Sequence, residues 1–300
     1  MTGRALGSAE RPLATEYDVA LLDLDGVAYR GSEAVAGAAA ALVAARAAGM
    51  RLAFVTNNAS RTPEVVAAHL TALGVTAAAD EVVTSAQAVA RILSARLPAG
   101  ARVLVLGAAG LLREVVDAGF DVVRGADDDP AAVVQGLAPE ATYADLTEAT
   151  LAVARGALWV AANLDSTMPT PRGLVPGNGA LVAVVATATG RTPLVAGKPE
   201  RALHDEAVRR SGAQRPLVVG DRLDTDIAGA VAVGAPSLLV LTGVTTRQDL
   251  LAAPLGLRPT YVAPDLSGLL YPQPAMPTED SEITRLRALV AGAWSAMDAG

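Results

Sequence analysis

The 300-residue chain has no cysteine, two histidines, a single lysine and 3% aromatic residues. Without cysteine there can be no disulfide, no thiolate zinc site and no Cys nucleophile; the redox compartment stays undetermined, although a cytosolic protein fits. His69 and His204 are far apart in sequence, so any metal is expected to be hard and held by oxygen rather than by a cluster of imidazoles. Positive charge is also short, with 24 Lys+Arg against 31 Asp+Glu and a net charge of −7. That balance, with no long basic run, argues against nucleic acid or an anionic membrane as the main partner. Residues 1–16 carry Arg4, Glu10, Arg11 and Glu16 without an apolar segment, unlike an ordinary secretory signal. The uncharged stretch 227–244 contains Gly229, Gly234, Pro236 and Gly243, so it reads as helix, turn and strand rather than a membrane span. A cytoplasmic location is expected.

What is present is a rhythm of short apolar runs and helix-forming stretches. Residues 17–23 and 50–56 read as buried strands, separated by a helix over 34–48 that closes at Gly49. Thr62-Pro63-Glu64 opens another helix that stops near Gly74, since a hydroxyl N-cap, a Pro at the first helical position and an early acid all favour a start. Runs at 216–219, 236–241 and 261–262 continue the pattern, which predicts a doubly wound parallel α/β sheet. The middle of the chain has its own alternation: strands at 102–106, 131–136 and 158–161, and helices around 111–118 and 146–155. The economical reading is an α/β core of residues 17–85 and 187–270, interrupted by a second α/β domain over 86–186. Residues 271–277 read as a Pro-rich linker, and 281–297 as an amphipathic helix that must dock on something.

The sharpest chemical feature is Asp23-Leu24-Asp25-Gly26 at the end of the first strand. Ligands of open parallel sheets bind beyond the strands' carboxyl ends, and alternate positions share a side, so the two carboxylates are expected to converge there. A second strand runs into Gly220-Asp221, followed by Asp224 and Asp226. Three acids in such a loop suit an oxygen-ligated Mg²⁺, with Asp221 the best ligand and at least one of the three an N-cap. Lys198, the lone lysine, precedes Pro199 at a helix start, where a compact ammonium can reach a crevice. Thr56-Asn57-Asn58 ends the second strand with the hydroxyl, amides and backbone N–H groups that hold phosphate oxygens. Asp127-Asp128-Asp129 reads as a solvated loop, residues 104–110 as a plain strand-to-helix turn, and the two histidines as non-catalytic.

In this order, strand-DLDG, strand-TNN, inserted domain, GKP and strand-GDRLDTD, the chain resembles the class IIA phosphatases of the haloacid dehalogenase superfamily. The resemblance spans roughly residues 17–265 and includes the cap signature over Ala162–Thr170 and Pro176–Gly179. It implies an aspartyl-phosphate mechanism acting on a small phosphate ester, with glycerol 3-phosphate preferred and phosphoglycolate or another sugar or metabolite phosphate as alternatives. By the same resemblance Asp23 is the nucleophile and Asp25 the general acid and base, whose backbone carbonyl joins Asp23 and Asp221 on Mg²⁺. Asp226 would stand behind those ligands or orient Lys198. Thr56, Asn57 and Asn58 would hold the phosphoryl group and Lys198 would neutralise it. Met168 is expected to contact the substrate; it stands where pyridoxal-phosphate-type relatives have a substrate-touching His, which disfavours an aromatic pyridoxal ring. Caps of this class pair in some members, which leaves a homodimer open. A phosphomutase shares the nucleophile, and a phospho-aspartate signalling module shares the order Asp, Thr, Lys but lacks a cap inserted between Thr and Lys.

Overall fold

The computed structural model describes residues 5–170, 172–274 and 281–299. The chain forms two compact units, Met1–Val55 with Ala67–Glu81 and Ala207–Gly300, and Thr56–Val66 with Val82–Glu206.

In the first unit the strands lie in the spatial order Tyr261–Ala263, Ser237–Val240, Pro216–Gly220, Val19–Leu22, Arg51–Thr56, all parallel. Every residue of Val19–Leu22 and of Ser237–Val240 is buried, as expected of strands covered on both faces. From Val19–Leu22 the chain moves outward to Arg51–Thr56 on one side. The later strands proceed outward on the other, starting from Pro216–Gly220. The strand order therefore reverses between Val19–Leu22 and Pro216–Gly220, and the crevice beyond such a switch point is where an open α/β sheet binds ligands.

Local chemistry trims several sequence-based boundaries. The helix expected from residue 34 begins at Ala38, because Tyr29–Arg30 and Glu33–Ala34 form a small antiparallel hairpin and Gly37 is left-handed at φ 77°. The strand expected over 17–23 is only Val19–Leu22. Residues 227–244 form the expected helix, turn and strand, with Ala228–Val233 closed by Gly234 at φ 73° before Ser237–Val240. The Pro-rich segment is not a free linker where it begins. Gln273 is buried and exchanges two 2.8 Å backbone hydrogen bonds with Ala9, whereas its residues 275–277 lie outside the described residues.

The C-terminal helix Glu282–Ala299 docks on its own chain. Leu286, Val290 and Trp294 join Ile227, Leu239, Leu250 and Val262 in one apolar cluster. The indole Nε1 of Trp294 donates to the Leu250 carbonyl at 3.0 Å, and the buried Arg258 stacks on the ring and pairs with Asp298 at 2.7 Å. No helix among the described residues is long and apolar enough to cross a membrane.

The second unit has its own five-stranded parallel sheet, in the order Leu194–Val195, Leu158–Ala161, Ala132–Gln135, Arg102–Leu106, Asp121–Val123. Its core gathers Leu104, Val133, Val153, Trp159 and Val185. An antiparallel hairpin, Thr167–Thr170 against Gly173–Pro176, carries Met168 opposite Val175.

Candidate active site

Asp23 follows its strand directly and its backbone N–H donates to the Val219 carbonyl at 2.8 Å, which ties it to the neighbouring strand end. The chain then turns tightly: the Leu24 carbonyl accepts from Val27, Ala28 and Tyr29, and Gly26 takes φ 87°. Asp25 therefore lies in this turn and not on the strand, so the alternation expected to align it with Asp23 does not extend that far. Its side chain is exposed and accepts a long 3.4 Å bond from Gly31 N–H.

On the adjacent strand, Gly220 leads into Asp221, which is fully buried. A single π-helical turn, Leu223–Ile227, winds the chain so that buried Asp226 folds back over Gly220, where a Cβ would lie 2.2 Å from that of Asp226. Its Oδ2 accepts from Arg222 N–H at 3.1 Å. Inserted π turns of this kind frequently mark functional sites. Asp224, expected as a candidate ligand or cap, instead pairs with the Arg222 guanidinium at 2.7 Å on the exposed side, and that hydrogen bond holds its carboxyl below the usual range.

Asp23, Asp221 and Asp226 each offer a carboxylate oxygen, and these oxygens lie within 4.8 Å of one another. Like charges so close, two of them buried, demand a cation or a proton. A donor set made entirely of oxygen fits a hard divalent ion such as Mg²⁺.

The loop after Ser237–Val240 completes this corner and was not foreseen from the sequence. Val244 N–H donates to Asp221 Oδ2 at 2.6 Å, Thr245 N–H to the Asp221 carbonyl at 3.1 Å, and the Thr242 hydroxyl to the Gly26 carbonyl at 2.6 Å. Gly243 is a steric requirement, since a Cβ there would stand 1.9 Å from Asp221 Oδ2. The available signal was Thr-Gly-Val-Thr directly after a buried strand, the same hydroxyl-rich strand ending that marks Thr56.

The remaining predicted residues belong to the second unit. Thr56 Oγ1 accepts from Asn58 N–H at 3.1 Å, which leaves its own O–H to donate. The Asn58 Oδ1 is engaged within its turn, accepting from Ser60 N–H at 2.7 Å and Ser60 Oγ at 2.8 Å. Asn57 is brought together with Lys198, which is buried at 5% exposure. Met168 is half-buried on its hairpin. His204 is buried and His69 packs edge-on against Tyr29, so neither joins the acid cluster.

A switch-point crevice whose two central strand ends deliver converging carboxylates suits a metal-assisted phosphoryl site, and the comparisons show the class: the chain belongs to the haloacid dehalogenase-like hydrolases. The model of that family, described as haloacid dehalogenase-like hydrolase, matches residues 20–121, and a second model of the same kind matches 195–269. The chain is a phosphatase of the class IIA branch of this family. It is 52% identical over 259 residues to the D-glycerol 3-phosphate phosphatase of Mycobacterium tuberculosis, covering 86% of this chain and 72% of that protein. A glycerol phosphate phosphatase from the same organism, solved in complex with magnesium, superposes with a TM-score of 0.89 at 47% identity, covering 95% of this chain and 92% of the other. The p-nitrophenyl phosphatase from Archaeoglobus fulgidus gives 0.78 at 31% identity, covering 85% and 98%.

Proposed function

We propose that this phosphatase is Mg²⁺-dependent and hydrolyses a small phosphate monoester, with glycerol 3-phosphate preferred, in the cytoplasm. The observation that carries the reading is the convergence of Asp23, Asp221 and Asp226 at the strand-order reversal. The ester is supported by the 52% identity to a D-glycerol 3-phosphate phosphatase. Residues 17–85 and 187–270 form the catalytic core in this proposal and 86–186 the cap.

In the proposed reaction the Asp23 carboxylate attacks phosphorus as the bond to the leaving oxygen breaks, and Asp25 gives that oxygen its proton. Water then attacks the aspartyl-phosphate, Asp25 takes the water's proton, and inorganic phosphate leaves with Asp23 restored. Splitting hydrolysis in two lets one carboxyl act as acid and then as base, a role that the exposed side chain of Asp25 suits. Asp23, Asp221 and the Asp25 backbone carbonyl would hold Mg²⁺, with Asp226 beside them. When bound, the ion offsets the charge of the phosphoryl oxygens and of the anionic nucleophile. The Thr56 hydroxyl and the turn at Asn57 and Asn58 orient the phosphoryl group, and Lys198 neutralises it.

Hydrolysis of glycerol 3-phosphate, phosphoglycolate and para-nitrophenyl phosphate, with and without EDTA, tests the proposal. EDTA and Asp23→Asn should each abolish turnover, and glycerol 3-phosphate should have the highest kcat/KM. Full activity in Asp23→Asn would sink the mechanism, and a higher kcat/KM for phosphoglycolate would overturn the substrate assignment.

A further inference from the structure

Asn57 faces Lys198 with both ends of its amide. Its Oδ1 accepts from the Lys198 backbone N–H at 2.7 Å, and its Nδ2 donates to the Lys198 carbonyl at 3.2 Å. That is the pairing a neighbouring strand would make, reproduced by one side chain. A planar amide supplies donor and acceptor together, whereas an ionised Asp would set an acceptor against the Lys198 carbonyl. The clamp closes because residue 197 is glycine: a Cβ there would lie 2.7 Å from Asn57 Oδ1 and 2.5 Å from the Ala162 carbonyl.

Asn57 is itself held. Its carbonyl accepts from Ser85 Oγ at 2.6 Å and from Asn163 Nδ2 at 2.7 Å. Asn178 Nδ2 donates in turn to the Asn163 carbonyl at 2.7 Å. Asn163 and Asn178 are both at most 5% exposed, where a hydrogen bond is costly to break. These residues form a continuous relay of position, Asn178 to Asn163 to Asn57 to Lys198, that runs from the cap-signature stretches to the buried lysine.

We propose that Asn57 is a positioning residue for Lys198: its amide clamps the lysine's two peptide groups instead of touching the phosphoryl group, and Asn163 and Ser85 lock it in place. The inference rests on the phosphatase reading above and reassigns one side chain within it. It explains why an amide, rather than a hydroxyl or an acid, stands beside Thr56.

The test is a double-mutant cycle of Asn57→Ala and Lys198→Met, read as kcat/KM on para-nitrophenyl phosphate and as the calorimetric Kd for inorganic phosphate. A residue acting through another loses its effect once that partner is gone. Asn57→Ala alone should lower kcat/KM by about 10²-fold, the scale of a misplacement of about 1 Å. In the Lys198→Met background the same change should alter kcat/KM and phosphate Kd by less than about 2-fold. Losses that multiply in the double variant would overturn the proposal, because a direct phosphoryl contact or a general loosening of the fold acts in either background. If Asn57→Ala melts early, Asn163→Ala removes one hydrogen bond to Asn57 and should show a smaller loss that likewise vanishes without Lys198. Wild-type turnover with an inactive Asp23→Asn keeps the phosphatase reading standing even if the cycle proves additive.

Discussion

Gly243→Ala is a sensitive probe of the acid cluster, because the added methyl has a defined collision. It would sit 1.9 Å from Asp221 Oδ2, 2.3 Å from Cγ and 2.6 Å from Cβ. A carbon–oxygen contact is comfortable at about 3.4 Å, so one partner must retreat by roughly 1.5 Å. Asp221 cannot turn aside cheaply, since its Oδ2 accepts from Val244 N–H and its carbonyl from Thr245 N–H, both on the same loop as the new methyl. Overpacking of this kind costs about 1–3 kcal/mol, and a displacement of about 1 Å in a reacting constellation costs on the order of 10²-fold in rate. A Mg²⁺ titration should therefore show a raised half-saturation concentration and a kcat/KM lower by about 100-fold. Mg²⁺ should also raise the variant's melting temperature less than the wild type's. Gly292→Ala is the control: an exposed helical position with nothing near its Cβ, it should add about 0.5–1 kcal/mol of stability with Mg²⁺ dependence unchanged. A Gly243→Ala enzyme with the wild-type Mg²⁺ profile would refute the placement of Asp221 in the metal site.

Thr242→Val removes the 2.6 Å bond to the Gly26 carbonyl with little change of shape; it should cost about 1 kcal/mol in urea denaturation and raise the Mg²⁺ requirement, while Thr242→Ser should behave like wild type. Partial burial opposes the charge on Asp18, but the N–H groups of Gln214 and Arg215, at 2.9 and 2.8 Å, and the Arg51 guanidinium outweigh it and hold the carboxyl below its ordinary 3.8. A depressed folded-state value means that its stabilisation is complete above that ordinary value and is lost as pH falls through the folded one. Urea midpoints should accordingly drop more steeply below about pH 4 in the wild type than in Asp18→Asn. Trp294→Ala empties the centre of the C-terminal helix's contact and should cost about 3–5 kcal/mol, read as a melting temperature lower by roughly 10 °C; an unchanged melting curve would show that the helix does not anchor there.

The fold was legible because the strands near the centre of each sheet are short, unbroken apolar runs bounded by glycine or acid, a pattern with few other interpretations. Arg102–Leu106 and Leu158–Ala161 appear with the expected boundaries for that reason. Ends were less legible where a single backbone state decides them. Gly31 and Gly37 both take positive φ, and together they turn what composition reads as the first turn of a helix into a hairpin. Composition also misjudged the start of the Pro-rich segment, because Gln273 finds its partner at Ala9, and nothing local to either residue announces the pairing.

The site divides along the same line. Asp23 and Asp221 were legible because each ends a buried strand, and the position of a strand end is fixed by the chain itself. What Asn57 does depends on residues 141 and 106 positions away, and residue type alone ranks an amide beside a phosphate motif as a ligand for phosphate. The structure shows that amide with its oxygen taken by the Lys198 N–H and its NH₂ directed at the Lys198 carbonyl and, at 3.4 Å, at Asp165 Oδ2. An amide can meet a carbonyl and an N–H side by side at little electrostatic cost, whereas turning it toward a dianion would present its oxygen as well as its NH₂. Thr56 differs because a hydroxyl that accepts from Asn58 N–H still has a proton to give. Within one strand ending, the hydroxyl is thus suited to the ligand and the amide to the scaffold, and the distinction follows from counting donors and acceptors at each atom.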